Sequence, residues 1–231
     1  MLKELIYKRK SIRNYQTEKL TAAESEKIEQ LITEATALLP EIKYRIVIAD
    51  KVSSPFKINA PAYLLFYSEE KPGYLENLGF LGQQLSLKLL EAGYGSCWQG
   101  MVKPRKTDDG LLPLITMSFG KPAEELFRNL EDFNRKPLLQ IANIESEYTQ
   151  VARLAPSAMN AQDWYFQQVP GFVHCYHRKA DFPLRTMLGK MAGMDLGIAL
   201  YHLSLLKENY RFVKVDHSEL ADCEYFISLE I

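Results

Sequence analysis

Arg9, Lys10, Ser11 and Arg13 place three cations and a hydroxyl within five residues. They close the stretch LKELIYKRKSIRNY, whose Leu2, Leu5 and Ile6 fall on one helical face, so the cluster is expected where a short helix ends. Cations at a helix C-terminus are favoured by the helix dipole, which is one sufficient reason for them. The grouping also suits a phosphate, because guanidinium forks bind phosphate oxygens bidentately and a serine adds a neutral donor.

A second polar concentration lies far along the chain, in RLAPSAMNAQDWYF. Pro156 restricts the backbone, while Ser157, Asn160 and Gln162 offer donors and acceptors directly before an apolar strand, WYFQQV. A turn bonded to its own backbone accounts for Ser157 and Asn160 but leaves Gln162 and Trp164 unexplained. A third stretch, GYGSCWQG, spans Gly93 to Gly100. Trp98 stands where a dinucleotide fingerprint needs its third glycine, and the stretch follows a helix rather than a strand, so the Rossmann reading fails. Gly93 is expected to cap the preceding helix. The rest is expected as a glycine-rich loop in which Gly95 and Gly100 leave backbone amides open to a flat or anionic ligand.

Composition narrows the setting. The 231 residues are 47% hydrophobic, ample for a large core, and the net charge of −1 creates no global field for nucleic acid or an anionic membrane. The three cysteines, Cys97, Cys175 and Cys223, are far apart, and neither they nor the four histidines show metal-ligand spacing, so no metal is expected. No apolar run approaches the roughly 18–20 residues of a membrane span, and the N-terminus lacks the apolar core of a secretion signal. The default expectation is a cytoplasmic protein.

The elements that must position these residues are legible in part. Thr21 followed by Glu24 has capping-box spacing, and Ile28, Leu31, Ile32, Ala35 and Leu38 continue a helical period. KYRIVIA (Lys43 to Ala49) and AYLLFYS (Ala62 to Ser68) read as strands, too close in sequence for a βαβ crossover and therefore antiparallel. A long helix is expected from about Tyr74 to Ala92, a strand at Leu111 to Gly120, and irregular or partly helical structure from Pro122 to Leu139. The second part replays the first. PAYLLFYSEE resembles PGFVHCYHRK, and LGQQLSLKLL resembles LGIALYHLSL, in the same order. This predicts an internal duplication. With CEYFISLEI as a closing strand and no Pro/Gly/Ser linker, one domain over 1–231 is expected, with halves near 1–145 and 146–231.

Taken together these motifs resemble the nitroreductase family of flavin-dependent oxidoreductases. RKSIRNY is similar to that family's RRSxRxF motif, and APSAMNAQDW to its APSxxNxQPW motif, with Asp163 where proline is usual. GYGSCWQG is similar to its glycine-containing segment beside the flavin ring, and NRKPL (Asn134 to Leu138) to its later basic segment at the phosphate. The resemblance implies an α+β fold with a mostly antiparallel sheet flanked by helices. It also implies FMN as cofactor, NAD(P)H as electron donor, and a nitroaromatic, quinone or similar small-molecule acceptor. No catalytic side chain is expected, because the flavin carries the redox chemistry.

On this resemblance Arg9, Lys10, Ser11, Arg13, Arg135 and Lys136 serve the phosphate and ribityl chain. Pro156, Ser157, Ala158, Asn160 and Gln162 meet polar edges of the ring, and the backbone of Cys97, Trp98, Gln99 and Gly100 approaches it. Ordinary members are homodimers in which one subunit supplies RxSxR and the other PSxxNxQ. Here the expected position of the second motif, ALLPEIKYRIV, keeps Pro40 and the strand but not the Ser, Asn, Gln and Trp. The complete motif stands instead in the second half, which lacks clear RxSxR and Gly-segment counterparts. The resemblance thus implies a fused pseudo-dimer with one site kept, able to fold as a monomer, with a homodimer left open. A flavin-binding or sensory protein without efficient turnover is the alternative of a different class.

Overall fold

Alternating side chains in Tyr44–Ala49 (β1) and the β-branched and aromatic run Ala62–Ser68 (β2) pair antiparallel, Tyr44 opposite Ser68 and Ala49 opposite Tyr63. This computed structural model describes residues 2–178 and 184–231, with side chains 184–190 left aside. From β2 the chain enters a helix, Tyr74–Glu91 (α3), and returns through Gly95–Gln99 (β3) and Leu112–Gly120 (β4). The sheet order is β1-β2-β4-β3. Two shorter helices precede it, Leu2–Ile6 (α1) and Ala22–Thr33 (α2).

The same path is then traced again. Leu138–Ile141 (α4) and Glu147–Arg153 (α5) lead into Trp164–Val169 (β5) and Phe172–Arg178 (β6). Helix Leu184–Ser204 (α6) follows, then Phe212–Val213 (β7) and Cys223–Glu230 (β8). The second sheet is ordered β5-β6-β8-β7, the same connectivity as the first, with every pairing in both antiparallel. The α+β class and the two related halves expected from the sequence are therefore present. Of the stretch PGFVHCYHRK, Lys179 lies outside the described residues.

Each sheet has its own apolar core. Leu64, Phe66, Leu81, Leu85 and Met117 fill the first, and Trp164, Phe166, Val173, Leu196 and Leu229 the second. The halves meet where α3 crosses α6. A Cβ on Gly79 would strike the carbonyl of Met194, and one on Gly197 the carbonyl of Glu76, so the two backbones approach as closely as only glycine permits. A buried polar chain crosses the same seam: Gln83 of α3 bonds His202 Nε2 at 2.9 Å, and His202 Nδ1 meets the Val151 carbonyl at 2.9 Å. Burial lowers the His202 pKa to about 3, so the ring is neutral, donating to the carbonyl and accepting from Gln83. No helix among the described residues is long and apolar enough to cross a membrane.

Local signals set several ends. Thr21 and Glu24 close a reciprocal capping box (Glu24 N to Thr21 Oγ1 3.2 Å, Thr21 N to Glu24 Oε2 2.8 Å). Gly93, at φ +84°, ends α3 in a Schellman motif, with Gly93 N bonded to Leu90 O and Tyr94 N to Leu89 O. Two expectations need correction. The helix starting after Thr21 ends at Thr33, short of Leu38. The expected glycine-rich loop is strand β3, because pairing with β4 overrides the weak β-propensity of Gly and Ser.

Candidate functional site: a guanidinium-lined cavity between the halves

Beyond α1 the chain is extended and runs antiparallel to residues 122–128. Arg9 bridges Phe127, and Tyr15 bridges Pro122. Extended backbone puts alternate side chains on one face, which is the physical content of the Arg9–Ser11–Arg13 spacing. Ile12 points the other way, fully buried against Gly95, where no Cβ would fit. Lys10 is paired with Glu124 at 3.1 Å, and Glu124 also accepts from the backbone N–H groups of Arg13 and Asn14.

Arg9 is only 4% exposed. Its Nη2 donates to Ser11 Oγ at 3.3 Å, while its buried Nη1 has no partner. Burial, then the neighbouring Arg128, Arg135 and Arg13, lowers its pKa to about 9. Arg135, pushed down to about 10 by burial and by Arg128 and Arg153, keeps a buried, unpartnered Nε. Arg128 donates Nε–H to the Arg9 carbonyl at 2.9 Å, and its guanidinium lies 4.4 Å from the Phe133 ring, with that of Arg135 at 5.5 Å. None of Arg9, Arg13, Arg128 and Arg135 has an ion pair among the described residues. Arg9 is buried, Arg128 and Arg135 are half-buried and Arg13 is exposed. A buried cation without a counter-charge is costly, so the surroundings of Arg9 suit an anion.

These groups line a cavity of about 1180 Å³. Its walls come from 8–13 and 124–135 on one side and from 156–160 on the other, so both halves contribute. The second wall is a strained loop. Met159, Asn160 and Gln162 have φ of 49°, 59° and 50°. Asparagine tolerates this region, whereas each of the other two costs on the order of 1–3 kcal/mol. Internal bonds hold the shape. Asp195, buried on α6, accepts the Ala158 N–H with both carboxylate oxygens (3.0 and 2.9 Å). Ser157 Oγ accepts Gln162 N–H at 3.0 Å, and Gln162 Oε1 accepts Lys136 N–H at 2.9 Å. Asn160 Oδ1 accepts from Arg135 Nη1 at 2.8 Å, and its Nδ2 donates to the Asn134 carbonyl at 2.9 Å. Burial pushes the Asp195 carboxyl well above the usual carboxylate range.

Of the residues singled out in the sequence, Arg9, Lys10, Ser11, Arg13, Arg135, Pro156, Ser157 and Asn160 line this cavity. The others do not line it. Cys97, buried and with its pKa raised by that burial, lies next to Ser11, Arg9 and Arg13. Trp98 packs against Phe66, ring centroids 5.3 Å apart and tilted by 33°, and covers Gly82. Gln99 Oε1 accepts the Ile58 N–H at 2.6 Å. Gly100 lies against Met191. Lys136 reaches Gln162 O at 3.4 Å and Asp163 at 3.8 Å. Ala158 and Gln162 are the loop's anchors. Sequence reasoning missed Arg128, Phe133 and Asp195. Only Asp195 carried a signal, as a lone carboxylate in the apolar run GMDLGIAL.

Two antiparallel sheets of the same strand order, joined through their long helices, with an arginine-lined cavity between the halves, have nitroreductase architecture. The family model described as "Putative TM nitroreductase" matches residues 1–207, and the chain belongs to this family of oxidoreductases. A "putative nitroreductase" of Thermotoga maritima is similar in structure, with 21% identity, coverage of 99% of this chain and 93% of that one, and a TM-score of 0.68. A nitroreductase family protein of Clostridium difficile 630 aligns at 17% identity over 64% of this chain and 98% of its own, TM-score 0.49. An FMN-dependent nitroreductase of Clostridium difficile R20291 aligns at 16% identity over 59% and 97%, TM-score 0.48. No curated protein matches the chain.

Proposed function

We propose that this oxidoreductase uses FMN, takes electrons from NAD(P)H and passes them to a small acceptor such as a nitroaromatic or quinone, with the flavin held between halves 1–145 and 146–231. The observation that carries this reading is the buried Arg9, with its unpartnered Nη1 beside Ser11 in a cavity lined by both halves. The residues fit the phosphate end of the cofactor. Arg9 and Arg13 flank Ser11 on one extended face, and Arg135, held by Asn160, lines the same cavity. Together they neutralise and orient a phosphate monoester through charge-assisted bonds. The flavin, when bound, supplies hydride acceptance and donation; the protein supplies orientation, charge and exclusion of water. Pro156, Ser157, Met159 and Asn160 form the other wall of the cavity and would meet the rest of the cofactor.

One observation favours a second reading, a flavin-binding or sensory protein without efficient turnover. The polar atoms of Asn160 and Gln162 are engaged inside the protein rather than turned to a ring edge. Purified protein reconstituted with FMN decides between them. NAD(P)H oxidation that depends on an added quinone or nitroaromatic supports the enzyme. Stoichiometric FMN with no oxidation by any acceptor supports the sensor. Failure to bind FMN removes both.

A further inference from the structure

The cavity contains more positive charge than one flavin phosphate requires. Six cationic side chains line it, Lys8, Arg9, Lys10, Arg13, Arg128 and Arg135, against three carboxylates, Glu124, Glu125 and Asp132. Lys10 and Glu124 satisfy each other. The remaining surplus exceeds the roughly 1.5–2 negative charges of a phosphate monoester at neutral pH. At about 1180 Å³ the cavity also exceeds the ~300–1,000 Å³ of ordinary small-molecule sites.

Arg128 is the residue that the flavin phosphate leaves unassigned. It stands outside the RxSxR and NRKPL motifs, yet its guanidinium is held as firmly as theirs. Nε–H is fixed on the Arg9 carbonyl, and Phe133 covers one face of the plane. Its two terminal nitrogens donate to none of the described residues and lie in the cavity wall. A planar fork held at its root and unoccupied at its tip is preorganised for a bidentate phosphate.

We propose that Arg128 binds a second phosphate monoester in this cavity, that of a 2′-phosphorylated nicotinamide donor, so that the enzyme selects NADPH over NADH. This rests on the flavin reading above. Arg9 would hold the cofactor's phosphate, and Arg128, bonded to the Arg9 carbonyl, the donor's.

The test uses FMN-loaded full-length protein. Binding of adenosine 2′,5′-bisphosphate is compared with that of adenosine 5′-monophosphate, and kcat/KM for NADPH with that for NADH. The 2′-phosphorylated ligand should be preferred at least tenfold in both measurements, the discrimination that charge-assisted bonds to one phosphate supply. Arg128→Gln keeps a donor near the Arg9 carbonyl but removes the fork. It should abolish the preference in protein that still binds one FMN per chain. Equal treatment of the two nucleotides by the wild-type protein, or a preference that survives in Arg128→Gln, overturns the proposal. FAD binding tighter than FMN, lost in Arg128→Gln without any donor preference, also overturns it, because the second phosphate would then be the cofactor's. If wild-type protein takes up no FMN, the flavin reading fails by itself. Inorganic phosphate titrated into the flavin-free protein then decides the Arg128 site. Two bound per wild-type chain and one per Arg128→Gln chain support it; equal numbers contradict it.

Discussion

Asn160 shows how a motif residue can serve the site at one remove. Its Oδ1 holds Arg135 Nη1 at 2.8 Å and its Nδ2 holds the Asn134 carbonyl, so its chemistry reaches a ligand through the guanidinium it orients. Asn160→Ala should therefore weaken FMN binding by roughly 5- to 150-fold, the ~1–3 kcal/mol of an unpaired buried polar group, and affect riboflavin much less. Fluorescence titration with both flavins checks this; equal losses would place Asn160 on the ring instead. Glu41→Ala, at the corresponding place in the first half, should leave both affinities unchanged.

Asp195 makes a pH-dependent contribution at the same scale. Its folded-state pKa is raised by burial, so the folded protein binds a proton that the unfolded chain releases above about pH 4. Stability from this group is fully present below that pH and is lost as pH rises through the folded value. Asp195→Asn should flatten the decline. Across thermal melts from pH 4 to pH 8, the variant should gain on wild type as pH increases. A difference independent of pH would mean that the carboxyl is ionised throughout.

Among the elements, the regular ones were legible because their signals are local. The Thr21–Glu24 box, the Gly93 stop and the apolar runs of β1, β2 and α3 each lie within one segment, and each formed as read. β3 was not legible. Its Gly and Ser content points to a loop, and only a partner 17 or more residues away (Gln99 opposite Thr116), β4, makes it a strand. The charged stretch from Pro122 to Leu139, read as irregular or partly helical, is so, holding a 3-10 turn at Leu130–Asp132 before α4; what was not legible there is its non-local bridging, Arg9 to Phe127 and Tyr15 to Pro122. The crossing of α3 and α6 carries a strict steric requirement. Gly197→Ala must push a methyl into the Glu76 carbonyl, so it should destabilise by about 1–3 kcal/mol or more in denaturant melts. Gly171→Ala is no control, since its φ of +82° adds strain; an exposed helical change such as Glu29→Ala should stay within about 0.5 kcal/mol.

For the whole molecule, the repeated sheet order gives the duplication read from two short sequence matches its structural form. The sequence marked which half kept which motif. The contacts of Trp98 with Phe66 and of Gln99 with the Ile58 N–H join segments far apart in the chain, which is why they were not legible in it. The central claim is that one FMN per chain lies between the halves with its phosphate on Arg9. The most direct measurement is the stoichiometry and affinity of FMN and riboflavin for wild type and Arg9→Ala, with the mass of the loaded species in solution. One FMN per folded monomer is expected, with FMN binding at least tenfold weaker in Arg9→Ala and riboflavin binding nearly unchanged. Two FMN per chain, or equal losses for the two flavins, would contradict it.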